Sequence, residues 1–343
     1  MYRFLLITLA AASLCDAASH TNRQTRPISL GTSGGSVVDF ANGYCCSGTL
    51  GSLVKDNQGK LYILSNTHVL AGDTAGSKIS AKGDPVNQPG YIDVNCQNRP
   101  ADYVGTLEKW VRLIPSGTTP VDAAIAKTDG TKVRSDGAIL DIGTISRTPR
   151  AAFVGQKVKK SGRTSGLTRG KITAINATVT VGYENECAGA PYTTTFRNQI
   201  LITPGTFIRP GDSGSLLVED IASNPRPIGL LFAGSSSIAV ANPIQAVLNA
   251  LSVSMVGVAT PAALATQFET KHGQTFKELQ LVQDKHSDNL LQIDGVIGHG
   301  LGVSKNNSQK PVLIVLTSKE CDVPEQLDGI DVEVLHVGPI TAY

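Results

Sequence analysis

Pro210-Gly211-Asp212-Ser213-Gly214-Ser215 is the stretch on which the reading of this chain turns. A Gly-Asp-Ser-Gly turn presents a serine hydroxyl and at the same time aims backbone N–H groups at one spot, the local equipment of a serine nucleophile with an oxyanion hole. Glycine, aspartate and serine are also ordinary turn residues, so the motif needs a base and an orienting acid to mean more than a turn. Both lie upstream, in the chain order His, Asp, Ser. His68 ends the apolar, strand-like run Leu61-Tyr62-Ile63-Leu64 followed by Ser65-Asn66-Thr67, and Asp122 sits in Val121-Asp122-Ala123-Ala124-Ile125-Ala126, which reads as a buried strand. Long stretches of chain separate these residues, so only the tertiary fold can bring them together.

With these residues in place the chain resembles the trypsin-like (chymotrypsin-fold) serine proteases, from roughly residue 30 to 258. Val158-Lys159-Lys160-Ser161-Gly162-Arg163-Thr164-Ser165-Gly166 is similar to a hairpin of the bacterial alpha-lytic and streptogrisin branch. The segments Leu64 to Leu70, Gln88-Pro89-Gly90 and Leu230-Leu231-Phe232-Ala233-Gly234-Ser235 resemble the bacterial relatives of the plant narrow-leaf trypsin-like proteins. The resemblance implies a mostly β fold of two packed six-stranded-type β-barrels. It implies a His68, Asp122 and Ser213 triad, with the N–H groups of Gly211 and Ser213 as the oxyanion hole. It also implies that Arg163 pairs with Asp212, so that no N-terminal cleavage is needed to form the site. The substrate pocket would be lined by Phe207 and Ile208 before the serine and by Phe232, Ala233 and Gly234 after it. No Asp or Glu falls at its base, so an apolar or small residue is expected at P1. Phe232 replaces a serine common in the family, and the hydrogen bond that serine gives to the triad acid must then come from elsewhere.

Composition fits a turn-rich β protein: 343 residues, 41% hydrophobic, 17% charged and 35 glycines. A net charge of +2 gives no electrostatic case for nucleic acid or a membrane surface. The cluster Lys157, Lys159, Lys160 and Arg163 reads as solvated hairpin charge rather than a binding patch. Residues 1–17 read as a signal peptide, with Arg3, an apolar run from Phe4 to Leu14 and a small-residue end. That run is too short to span a bilayer, so a secreted or periplasmic protein without stable membrane insertion is expected. Cys45, Cys46, Cys96, Cys187 and Cys321 remain, and one or two bridges are expected among the first four, with the pairing open. Adjacent strand residues face opposite ways, so Cys45 and Cys46 are expected to differ in role.

Residues 18–258 are expected to form the protease-like domain, closed by a helix from Pro243 to Leu251 with Asn242 as its N-cap. Residues 259–343 read as a small α+β domain, a candidate for docking a partner. It has a helical stretch over 261–285 interrupted at Gly273, then strand-like runs at Val296 to Val303, Pro311 to Thr317 and Val332 to Val337. Its Gly298-x-Gly300-x-Gly302 pattern is wrongly framed for a dinucleotide site, and His272, His299 and His336 are too scattered for a metal. No cofactor is expected. The functional expectation is a secreted serine endopeptidase acting on a protein or peptide. The alternatives are a serine esterase or narrow processing enzyme with the same triad, or a non-catalytic scaffold on a protease fold.

Overall fold

A computed structural model describes residues 20–41, 44–72, 80–183, 191–259 and 267–343. The expected signal peptide and Cys187 lie outside the described residues. Two curled sheets hold nearly all the strands, and each closes for a reason visible in its strand order.

In the first sheet the order is Ser254–Met255, Ser52–Lys55, Leu61–Ser65, Ala124–Lys127, Tyr103–Trp110, Pro85–Asn87, Thr32–Ser36 and Gly48–Leu50. The two strands near its opposite ends, Gly48–Leu50 and Ser52–Lys55, are one stretch of chain broken at Gly51, so the sheet bends round upon itself. Leu50, Leu53, Ile63, Leu64, Val86, Val104 and Leu107 fill the interior. In the second, the strands Gly166–Tyr183, Lys157–Gly162, Leu216–Glu219, Pro227–Gly234, Ala239–Pro243 and Tyr192–Thr203 pair in succession, and the last pairs again with the first. That is a closed barrel, which leaves no edge among its own strands.

The short helix α1 (Thr67–Leu70) follows directly on strand Leu61–Ser65. Helix α2 (Ile244–Leu251) buries Ile244, Val247, Leu248 and Leu251, the spacing of one helical face. Asn242 was expected to cap it; the residue at the N-cap is Pro243, and the Asn242 side chain is turned into the core, where it contacts Asp122. The Gln88-Pro89-Gly90 segment ties down residues 22–24: Gln88 Nε2 donates to Asn22 O at 2.7 Å and its Oε1 accepts from Gln24 N at 3.1 Å.

Beyond residue 258 the expected helix and strands are present, and the strands join the second sheet. Strand Val296–Val303 pairs with the 18-residue strand Gly166–Tyr183, so Pro311–Thr317, Ile330–His336 and Gln326–Leu327 extend the second sheet. The alternate glycines explain themselves here, since a Cβ at Gly298 would lie 2.4 Å from Thr178 O and one at Gly302 2.9 Å from Thr173 O. Helix α3 (Gln267–Gln292) covers these strands through Leu279, Gln283, Ser287 and Leu290. It runs through Gly273 instead of breaking there. A helix-interior glycine costs only about 1 kcal/mol relative to alanine, which packing outweighs.

Cys45 bridges Cys96, and Cys46 is disulfide-bonded as well, so the neighbours share a covalent role after all. Cys321 is a free thiol. Among the described residues no helix is long and apolar enough to cross a membrane, and no cluster of metal-ligating side chains occurs.

His299 is a packing residue. It is 1% exposed; its Nδ1 accepts from Gln283 Nε2 at 2.9 Å, and its Nε2–H donates to Ser287 Oγ at 2.8 Å. Burial, with Arg197 nearby, pushes its pKa down to about 4. The unfolded chain therefore binds the extra proton between about pH 6.5 and pH 4, and stability falls as pH drops through that window. We predict that His299→Gln removes up to about 3 kcal/mol of this pH dependence, the difference between wild type and variant in urea unfolding at pH 7 and pH 4. Parallel losses in both proteins would contradict the assignment.

Candidate active site

The two barrels meet where α1 and the loop before strand Ala124–Lys127 face the turn before strand Leu216–Glu219. Asp122 lies there, fully buried. Its Oδ1 accepts from Thr67 N at 2.6 Å and His68 N at 3.4 Å, and its Oδ2 accepts from His68 Nδ1 at 2.5 Å and Tyr183 Oη at 2.8 Å. Its main chain is held too: Asn242 Oδ1 accepts its N–H at 3.2 Å, and Asn66 Nδ2 donates to its carbonyl at 2.7 Å. A buried carboxylate is costly unless so satisfied, and these bonds fix the imidazole with Nδ1–H toward Asp122 and Nε2 toward the cleft.

Tyr183 is the functional neighbour that sequence reasoning missed. Its hydroxyl supplies the bond to Asp122 that the Phe232 substitution left open. Its ring meets His68 edge-on at 5.8 Å and stacks on Tyr192 at 5.1 Å. Only its position at the end of a long strand marks it in the sequence.

The serine turn is shaped by backbone that only glycine adopts freely. Gly211 has φ +93° and Gly214 φ +92°. At Gly214 the first barrel presses in, and a Cβ would lie 2.2 Å from Thr49 O. Thr49 N donates to Ser213 O at 2.8 Å and Thr49 Oγ1 to Gly211 O at 3.0 Å, clamping the turn across the interface. Among the described residues the N–H groups of Gly211 and Ser213 have no acceptor, which leaves both available to a ligand oxygen. Ser213 Oγ donates to the carbonyl of Phe232 at 3.0 Å, and His68 Nε2 lies 3.2 Å from the main-chain oxygen of Tyr343.

Asp212 finds a different partner from the one expected. Arg163 turns to Asp93, with Nε to Oδ2 at 2.8 Å and Nη2 to Oδ1 at 2.6 Å. Lys160 Nζ instead lies 3.0 Å from Asp212 Oδ2, with both side chains fully buried. Asp212 also accepts from Thr164 N at 2.8 Å, Ser165 N and Arg209 N at 3.0 Å, and the Ser165 hydroxyl. The expectation of solvated hairpin charge fails at Lys160 for a simple reason. On strand Lys157–Gly162 it shares a face with the core residue Val158, and that alternation was readable. Burial pushes the Lys160 pKa down, while Asp212 opposes the shift. Lys159 is buried as well, its Nζ donating to Ile221 O at 2.7 Å.

Of the expected pocket residues, Phe207 and Ile208 belong to one apolar cluster, against which the Tyr343 ring packs. The side chains of Phe232 and Ala233 belong to another, where Phe232 meets Phe196 at 4.7 Å. Phe232 and Ala233 thus offer main chain to the groove rather than side chains. Gly234 leaves space beside Ile208, whose Cγ2 would lie 2.8 Å from an added Cβ.

The fold and this arrangement define a two-barrel protein of the trypsin-like kind, and comparison with known proteins narrows it. The model of the family described as Nal1 C-terminal domain matches residues 28–242, and the chain belongs to that family. It is 28% identical over 214 residues to Protein NARROW LEAF 1 of Oryza sativa subsp. japonica, covering 55% of this chain and 34% of that protein. It is 34% identical over 113 residues to Streptogrisin-A of Streptomyces griseus, covering 33% of this chain and 28% of that one. The chain thus spans about a third of the length of these relatives. Among solved structures, a glutamic acid specific serine protease matches at 20% identity and TM-score 0.44, over 66% of this chain and all of that one. Thermobifida fusca Protease A matches at 18% identity and TM-score 0.44, over 67% and 99%.

Breaking a buried ion pair by removing one partner typically costs about 3–5 kcal/mol. Lys160→Met, which leaves the Asp212 charge buried, is predicted to lower unfolding stability by about that much. A loss within about 1 kcal/mol in urea unfolding would mean that Asp212 does not depend on Lys160.

Proposed function

We propose that this chain is an exported serine endopeptidase in which Ser213 is the nucleophile, His68 the general base and acid, and Asp122 the residue that orients His68. The observation that carries the proposal is the buried Asp122 carboxylate bound to His68 Nδ1 at 2.5 Å, beside a glycine-shaped turn with two N–H groups unclaimed by described residues. A relative named Serine protease 2, of Streptomyces fradiae, supports the same reaction class.

In this reading the Ser213 hydroxyl rotates from the Phe232 carbonyl toward His68 Nε2 and attacks the substrate carbonyl carbon as the imidazole takes its proton. Asp122 keeps Nδ1–H in place and stabilises the imidazolium without taking the proton. The Gly211 and Ser213 N–H groups receive the oxyanion, each such donor being worth about 3 kcal/mol in comparable sites. His68 then protonates the leaving amine, and water repeats the sequence on the acyl-enzyme. Lys160, through Asp212, holds the turn in the shape that aims those donors. The substrate is a protein or peptide, and residues 1–17 serve as the export signal.

The test is hydrolysis of matched peptide and ester substrates. Ser213→Ala and His68→Ala should each lower peptide hydrolysis by about a thousandfold or more. Ester cleavage without peptide cleavage, or hydrolysis that survives Ser213→Ala, would overturn the proposal. A hydrogen bond to a charged group is worth about 1.5–3 kcal/mol, so Tyr183→Phe should lower kcat by about tenfold or more with the fold intact.

A further inference from the structure

Thr341, Ala342 and Tyr343 lie across the site. Strand Thr341–Ala342 pairs antiparallel with strand Pro227–Gly234, with Gly234 opposite Thr341 and Ala233 opposite Ala342. One residue on, Tyr343 N donates to Phe232 O at 3.2 Å, the same carbonyl that accepts from Ser213 Oγ. The Tyr343 main-chain oxygen lies 3.2 Å from His68 Nε2. The Tyr343 ring packs on the cluster containing Phe207 and Ile208, and its Cε2 would be 3.1 Å from a Cβ at position 234. On its other side the segment pairs with strand Gly166–Tyr183, where Gly182 N donates to Ile340 O at 2.9 Å, and Ile340 is buried at 3% exposure.

These contacts describe a peptide bound as an added strand, with main-chain bonds giving its register and one side chain filling a pocket. The main-chain oxygen of Tyr343 reaches the base of the proposed triad, so Tyr343 stands where the residue before a scissile bond would stand. We propose, resting on the peptidase reading, that Thr341-Ala342-Tyr343 is an intramolecular occupant of the acyl side of the cleft. It holds the enzyme in an inhibited state and reveals a preference for tyrosine or another aromatic residue at P1.

The chemistry of the inhibited state follows from the bonds. A main-chain oxygen, whether carbonyl or terminal carboxylate, only accepts, so its bond to His68 requires a proton on Nε2, while Nδ1–H is given to Asp122. An imidazole carrying both protons cannot take another from Ser213. The Ser213 proton is directed to Phe232 O instead. A substrate strand must displace Tyr343 to gain both the pocket and the base. The expectation of a small or apolar P1 residue becomes an aromatic one, because Gly234 and the Phe207 cluster leave room for a ring. Burial also raises the Tyr343 hydroxyl pKa, consistent with an enclosed phenol.

The experiment compares the 343-residue chain with one lacking Thr341–Tyr343 and with Tyr343→Gly, both of which keep the buried Ile340. Substrates Ile-Thr-Ala-X-p-nitroanilide, with X as Tyr, Leu, Arg or Glu, are assayed. Binding of the peptide Pro-Ile-Thr-Ala-Tyr to the truncated chain carrying Ser213→Ala is measured calorimetrically. A tethered occupant acts at an effective concentration of roughly millimolar, so removing it should raise kcat/KM by about tenfold or more, with Tyr preferred over Arg and Glu by a similar factor. The free peptide should bind the truncated Ser213→Ala chain and inhibit the truncated active one competitively. Equal activity of all three chains with no peptide binding would overturn the occupant and leave the peptidase reading standing. Peptide binding with no hydrolysis by any chain would overturn the proposal through the peptidase reading, not through the seat.

Discussion

A carboxylate sealed from water at the junction of two barrels is the constraint on which the rest of this molecule depends. The chain around Asp122 supplies its buried oxygens with hydrogen-bond donors from several directions: the start of α1, the His68 ring and the Tyr183 hydroxyl. Asn242 and Asn66 hold its backbone, and Asn242 stands beside helix α2 and the second barrel. The two barrels are thus joined through one polar centre as well as through apolar packing. A shift of either barrel would leave a buried charge partly unsatisfied, and that penalty keeps His68 aimed into the cleft.

The same logic repeats on the serine side. Asp212 is buried next to Ser213 and needs a cation, and Lys160 reaches it from within the second barrel. Main-chain donors of the Thr164–Ser165 turn complete its shell, so the turn carrying Ser213 is held from behind. Gly211 and Gly214 then permit the backbone path that points N–H groups forward. Arg163 is released to bind Asp93, which also accepts from the Ser33 hydroxyl near the Cys45–Cys96 bridge. Both acids of the site therefore depend on specific partners rather than on solvent.

Much of this was legible in the sequence. The runs Leu61 to Leu64 and Pro311 to Thr317 are strands because continuous apolar residues bounded by turns have few other uses. His68, Asp122 and Ser213 stood out because each appears in a setting that resembles a known one. What stayed hidden was relational. Tyr183 touches Asp122 only through the curvature of an 18-residue strand, which no local pattern records. Lys160 looked like surface charge because a lysine is rarely buried, although its alternation with Val158 pointed inward. The pairing of the strands after residue 295 with the second sheet stayed hidden because pairing across a long sequence distance leaves no local trace. For the same reason nothing in the last residues marks Tyr343 as a neighbour of His68.

The central claim is that these buried partners make Ser213 an activated nucleophile. The most direct test is to treat the folded chain, with and without Thr341–Tyr343, with a fluorophosphonate probe and to map the adduct by mass spectrometry. The account predicts an adduct on Ser213 that disappears in His68→Ala. An unmodified Ser213 in the folded chain lacking Thr341–Tyr343 would contradict it.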